Sequence, residues 1–260
     1  MNIYNFKIYS STKDDFDQKN LINRINLVKN KFNKLNVILP IQKHTNKILK
    51  LSYLLKPKVN YLKEELSFDG IYFDNNDIYF FKYFSIGVLT ADCLPIVILV
   101  FNNDMLNNLD NSLNLNNYLS NYLNSFIIGS ILHAGWKGIF NNIIFNFFDI
   151  LNNYINNYKN LKIFIYIGPA IRNCCYEVKY DFINTLNINT QFYYQKNNKI
   201  FLDLISIAKS QIQESIKCLS KLKKIEIEII DTNECTYCSN KYFSYRKGDN
   251  KQRNITILSL

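Results

Sequence analysis

Two histidines are all that 260 residues contain, and each stands in a short segment where an imidazole could bind a metal or act as a base. His44 lies in Gln42-Lys43-His44-Thr45, and His133 opens His133-Ala134-Gly135-Trp136-Lys137-Gly138. Between them, Cys93 sits in Thr90-Ala91-Asp92-Cys93-Leu94-Pro95. A thiolate and two imidazoles are soft or borderline donors that suit zinc, and three protein ligands instead of four leave one coordination position for water or substrate. Taken singly, a buried thiol and a hydrogen-bonded core histidine are the plainer readings. Two such residues in matched settings at strand ends favour the site.

Other residues around this trio could carry chemistry. Asp92 could orient a histidine or serve as a base, or merely close a turn. In the turn after His133, Gly135 lets the backbone come close to a ligand, Trp136 is the only tryptophan, and Lys137 supplies a cation. Near the C-terminus, Phe243, Tyr245, Arg246 and Arg253 combine rings that stack on bases or sugars with guanidinium groups that grip phosphate or carboxylate. Lys247, beside them, reads as a solvated basic end. Cys174 and Cys175 are adjacent and read mainly as packing groups. Cys235-Thr236-Tyr237-Cys238 has the spacing of half a zinc-ribbon site, with no second such pair in the chain.

The elements that must position these groups can be read from periodicity. Residues 19–35 predict a helix and Asn36–Ile41 a strand leading to His44, while 66–74 and 78–90 are β-rich. Ile96–Phe101 is apolar on both faces, as a central buried strand would be, so Cys93 falls at a break between two strands. Residues 102–124 are asparagine-rich and almost uncharged, a low-complexity insertion expected as a loop or short surface helix. A strand over Phe126–Leu132 delivers His133. Beyond it the pattern predicts a helix at 139–157, a strand at 162–167, helices near 179–186 and 203–219, and strands at 224–230 and 254–259. Strands and helices mix without strict alternation or repeat, so residues 1–260 are expected as a single α+β domain, mixed β-sheets sandwiched by helices.

Bulk properties exclude several classes. A hydrophobic content of 48% supports a large core and argues against disorder. The net charge of +10 invites a nucleic-acid reading, but the lysines are scattered and no basic helix or aromatic RNA-binding motif accompanies them, so no nucleic-acid partner is expected. No stretch reaches the roughly 18 uncharged apolar residues of a membrane span, and the N-terminus lacks a signal-like pattern. The expectation is a cytoplasmic protein with no membrane association, as monomer or homodimer, whose six cysteines remain thiols.

Together the segments resemble one family, the YfiH-type proteins, first described as multicopper polyphenol oxidases or laccase-domain proteins and later as zinc-dependent purine nucleoside enzymes. The matching pieces run in family order: Asn23-Arg24, Gln42-Lys43-His44, Asp69-Gly70, Thr90 to Pro95, His133 to Gly138, Ile167 to Ile171, Cys175 to Val178, Asp203-Leu204, Cys235-Thr236, and Phe243 to Arg246 through Arg253. The resemblance implies a zinc site at His44, Cys93 and His133, with zinc ahead of copper. It also implies phosphorolysis of adenosine, inosine and methylthioadenosine, and hydrolytic deamination of adenosine. Small-molecule nucleoside and phosphate are the implied partners; Cys93, His133 and Asp92 are the catalytic candidates, and Lys137, Phe243, Tyr245, Arg246 and Arg253 the substrate-binding ones. Some relatives are described instead as editing factors acting on peptidoglycan precursors. The chain departs from the pattern in lacking an N-terminal Gly-Gly-Val-Ser, in having Lys137 and Gln252 where arginine and glycine are usual, and in the insertion. The competing readings are a metal-free hydrolase with a Cys93–His133 dyad, a copper-dependent phenol oxidase, which two histidines are too few to build, and a non-catalytic binding protein.

Overall fold

The run from Leu94 to Phe101 dictates a sheet covered on both faces, because side chains alternate along a strand and here both sets are apolar. The computed structural model describes residues 1–3, 5–15, 26, 29–30, 33–34, 36–56, 67–107, 122–221 and 223–260. In it, Leu94, Ile96, Ile98 and Val100 join a core made with the helices, and Val97, Leu99 and Phe101 join a second core shared with another sheet.

The covered sheet has six strands in the order β13 (Lys224–Asp231), β9 (Asn160–Ile167), β7 (Leu94–Asn102), β8 (Phe126–Ala134), β5 (Gly70–Asp74) and β4 (Ile48–Lys50). Its outer pairs, β13 with β9 and β4 with β5, are parallel, and its inner pairs are antiparallel. Against one face lies a five-stranded sheet, β1 (Asn2–Ile3), β2 (Phe6–Ser10), β14 (Asn254–Ser259), β6 (Phe84–Thr90) and β3 (Asn36–Ile38). Between the two sheets, Phe6 packs on Phe126 and Phe73 with ring centroids 5.0 and 5.8 Å apart.

The other face is covered by two amphipathic helices. Ile143–Tyr154 buries Ile143, Ile144, Phe147, Phe148 and Leu151, positions that fall on one helical stripe. Leu204–Leu219 buries Ile205, Ala208, Ile212 and Ile216 in the same way and starts at Asp203, whose carboxylate accepts the Ser206 N–H at 2.9 Å. A small sheet, β10 (Glu177–Val178), β12 (Lys199–Leu202) and β11 (Tyr193–Lys196), adjoins this layer. Mixed sheets with several helices are the α+β architecture expected from the sequence.

Several boundaries differ. Residues 75–82 form a 3₁₀ helix that takes in 78–82, the start of the stretch expected to be β-rich; Asp74 and Asp77 form a reciprocal capping box that satisfies main-chain N–H groups of the turn, so local capping overrides the aromatic β-propensity of Tyr79 to Phe81. The helix expected at 139–157 is two, Trp136–Phe140 and Ile143–Tyr154, broken where Asn142 takes φ 69°. Within the insertion Asn103–Asn107 is helical. Its residues 108–121, and most of the helix expected at 19–35 with the Asn23-Arg24 pair, lie outside the described residues.

Candidate metal centre

β6 belongs to one sheet and β7 to the other, so Ala91-Asp92-Cys93 is the corner at which the chain crosses between them. Asp92 turns that corner with φ 88°, a conformation that an L residue keeps only where its surroundings hold it. The holding contacts are explicit: its main-chain oxygen accepts from Ile171 N at 3.0 Å, and its carboxylate accepts from Thr236 Oγ1 at 2.7 Å and Arg246 N at 2.8 Å. Asp92 therefore ties three segments together, and Cys93 emerges from the corner.

His44 lies on a loop with φ 60° that is pinned to β6 by Gln42. The Gln42 side chain donates to Leu89 O at 2.7 Å and accepts from Leu89 N at 2.8 Å, standing in for a missing strand partner. The loop's tighter anchor is Asp69, a fully buried residue. Its carboxylate accepts the N–H groups of Lys43, His44 and Thr45 at 3.2, 3.0 and 2.6 Å, and the Thr45 hydroxyl at 2.8 Å. The same carboxylate meets His133 Nδ1 at 2.7 Å, which leaves Nε2 of that ring as the ligand atom. A single buried carboxylate thus shapes the His44 loop and sets the His133 tautomer. In the sequence Asp69-Gly70 stands out only as part of the family resemblance; the signal for its role is an aspartate just before the strand-forming Ile71-Tyr72-Phe73.

The ligand atoms of His44, Cys93 and His133 all lie within 4.8 Å of one another, and Asp92 is not one of this group. The two imidazoles are 4.9 Å apart between centroids at 63°. Gly135 makes this convergence possible. A Cβ there would stand 2.8 Å from Cys93 Sγ and 3.1 Å from His44 Cδ2, so the glycine of the His-Ala-Gly-Trp turn gives room to the donors themselves. The centre runs from buried His133 through half-buried Cys93 to exposed His44.

Charge reinforces the geometry. Burial alone would push the Cys93 thiol up, but the charge of His133 and hydrogen bonds from both histidines outweigh it and bring it down to about 6. Burial likewise works against a charged His133, yet the Cys93 thiolate and the Asp69 carboxylate hold it up at about 9. Asp69 is lowered in turn: burial opposes its charge, and the hydrogen bonds from His133 and Thr45 prevail. Two imidazole nitrogens and a thiolate fit one divalent ion. They do not fit a multicopper cluster, since the chain has only two histidines. A single copper ion would also accept two imidazoles and a thiolate with a weak axial donor, so the donor set by itself fixes one ion and not its element.

That cavity has a volume of about 630 Å³ and is lined by the three donors together with Trp136, Tyr176, Tyr245, Arg246 and Arg253, within the usual range for small-molecule sites. Tyr245 is 57% exposed, a large ring left uncovered beside the donors. Arg246 lies over the Tyr176 ring at 5.2 Å and donates to Glu177 O at 2.8 Å. Arg253 donates to Asn250 O and Gln252 O at 3.0 and 2.7 Å. Trp136 both lines the cavity and packs edge-on to Phe182 at 5.0 Å. Lys137 and Phe243 are not part of this lining: Lys137 Nζ lies 5.5 Å from the Trp136 ring, and Phe243 holds the C-terminal segment through main-chain bonds with the Asn254 side chain at 2.9 and 2.8 Å. Tyr176 belongs to the wall although the residues alone did not mark it.

The fold and centre together define a class, α+β proteins of mixed sheets with a His-Cys-His donor set beside an arginine-bearing cavity. The family described as Multi-copper polyphenol oxidoreductase laccase matches residues 125–260, and the chain belongs to that family. It is 27% identical over 224 residues to the purine nucleoside phosphorylase of Aquifex aeolicus, covering 86% of this chain and 82% of the relative. It is 31% identical over 128 residues to the purine nucleoside phosphorylase of Borreliella burgdorferi, covering 46% of this chain and 50% of that one. The fold matches the crystal structure of YlmD from Geobacillus stearothermophilus with a TM-score of 0.64 at 17% identity, covering 97% and 90% of the two chains. Among the described residues, no helix is long and apolar enough to cross a membrane.

Proposed function

We propose that the chain is a zinc-dependent purine nucleoside enzyme that phosphorolyses adenosine, inosine and methylthioadenosine and hydrolytically deaminates adenosine. The observation that carries this reading is the convergence of His44, Cys93 and His133 within 4.8 Å in a cavity that also presents Tyr245, Arg246 and Arg253. The names of the curated relatives support the nucleoside class. When bound, a zinc ion would supply Lewis acidity and an acidified water. The chain's own residues do the rest. Asp69 holds His133 in the tautomer that presents Nε2. Tyr245 offers a ring face for the purine, and Arg246 and Arg253 offer guanidinium donors to the phosphate. Asp92, through Arg246 N and Thr236, keeps Arg246 in register with Cys93, a positioning role beside its candidacy as a catalytic group.

Adenosine incubated with the metal-replete protein tests this directly. Adenine that forms only when phosphate is present reports phosphorolysis, and inosine without phosphate reports deamination. Neither product appearing would remove the purine assignment. A second reading has its own support, since a lowered Cys93 thiol beside a raised His133 is also the electrostatics of a thiolate–imidazolium dyad. Turnover by metal-free protein, abolished by alkylation of Cys93, would favour that metal-free hydrolase over the zinc enzyme.

A further inference from the structure

Four cysteines that the nucleoside reading leaves unused meet at one point. The sulfurs of Cys174, Cys175, Cys235 and Cys238 all lie within 4.8 Å of one another. The residues alone suggested packing groups and half a zinc site; the structure joins the two pairs. An isolated parallel bridge between Ala170 and Cys235, with Thr236 N donating to Ala170 O at 3.0 Å, lays the two segments side by side. Cys175 N and Tyr176 N then both donate to Arg172 O, at 2.9 and 2.8 Å, closing a turn. A tight turn can set neighbouring side chains roughly 100° apart, as in a helix, instead of on the opposite faces of an extended strand. Adjacent cysteines can therefore serve one centre. On the other side, Ser239 N donates to Cys235 O at 3.0 Å, closing the turn that carries Cys238.

We propose that Cys174, Cys175, Cys235 and Cys238 bind a second metal ion, a single tetrahedral zinc-class cation that clamps one wall of the cavity. Sulfurs bonded at about 2.3 Å to a tetrahedral ion stand about 3.8 Å from each other, a spacing this cluster reaches with small shifts. Cys175 and Cys238 sulfurs are 2.9 Å apart and Cys174 and Cys238 sulfurs 3.4 Å, both well beyond the roughly 2.05 Å of a disulfide. As four sulfur–metal bonds form, four thiol protons leave to solvent, so the loaded site carries a net charge of −2. Four protein ligands leave no open position, which makes the ion structural. What it would hold is specific: Tyr176, next to Cys175, lines the cavity, and Thr236, next to Cys235, donates to Asp92 at the corner that carries Cys93.

Metal counting on protein purified without chelator or nickel resin tests this. Wild type is expected to carry two equivalents of zinc per chain, Cys238→Ser one, and His44→Ala one. If His44→Ala keeps the wild-type count while Cys238→Ser lowers it, the four-sulfur site stands and the metal part of the nucleoside reading falls. A count unchanged by Cys238→Ser and Cys175→Ser overturns the second site, as does metal-free protein whose intact mass shows a disulfide among these four residues. Native alkylation of wild type covers the case in which the variants fail to fold. Cys238, which is exposed, should resist the reagent until a chelator is added, and prompt modification without metal release overturns the site.

Discussion

The molecule holds two sulfur-bearing clusters of similar reach, and they differ in what surrounds them. At the His44–Cys93–His133 centre, the buried Asp69 carboxylate holds the two histidines, the Asp92 corner carries the cysteine, and all three donors face a cavity. At the Cys174–Cys175–Cys235–Cys238 cluster, four donors of one kind are gathered by main-chain turns at the surface. The first is short of a closed tetrahedron by one ligand, the second complete. If both hold metal as proposed, ligand count and the presence of a hydrogen-bonded carboxylate would separate a centre open to substrate from one that holds the fold.

The sharpest way to break this contrast is to remove a donor from the first centre. His44→Ala is expected to abolish its metal and to cost several kcal/mol of transition-state stabilisation, roughly 10³-fold in nucleoside kcat/KM. Steady-state kinetics beside metal analysis checks it, and near-wild-type turnover would mean the centre is not the reacting one. Next in size is Asp69→Asn, which keeps the shape but exchanges an acceptor for a donor. Loss of about 10- to 100-fold in metal affinity or activity is expected, with the four-sulfur cluster unaffected in its metal count.

Metal-stripped protein should also report the difference in charge. Cys93 is brought down to about 6, below the ordinary 9.0, and Cys174, although its residue is exposed, is pushed up to about 12 by partial desolvation of its sulfur and its hydrogen bond to Cys238. A lowered acid ionises as pH rises through its shifted value, so alkylation of Cys93 should climb through about pH 6 and level off, while Cys174 stays slow to well above pH 9. Reagent incorporation mapped by peptide mass spectrometry at stepped pH measures this; equal profiles would show that His133 does not hold a thiolate. Gly135→Ala should cost about 1–3 kcal/mol through the clash with Cys93 Sγ, read as a lowered denaturation midpoint. The smallest effect belongs to Lys137→Ala. As the residue stands outside the cavity lining, its loss should change kcat/KM by less than about 2-fold, the scale of an ordinary surface substitution. A tenfold loss would place it in the phosphate pocket after all.

Much of this was legible before any coordinates. The three donors were visible because histidine is so scarce here, and β7 because apolar residues occupy both faces of a strand only when both faces are covered. Tyr245, Arg246 and Arg253 were legible as a chemical grouping. The positions of the 3₁₀ turn at 75–82 and of the helix break at Asn142 were not, since capping and a single left-handed residue decide them locally against the broader propensity.

Residue types and their order along the chain therefore determined which donors exist and that three of them suit one ion, because donor softness and count are properties of side chains alone. Only the tertiary structure decided that Asp69 orients His133 and that Gly135 makes space for Cys93. It alone showed that Cys174 and Cys175 meet Cys235 and Cys238. Those relations join residues up to 64 positions apart, and distance through space is set by how the two sheets and their corners pack, which no local pattern encodes.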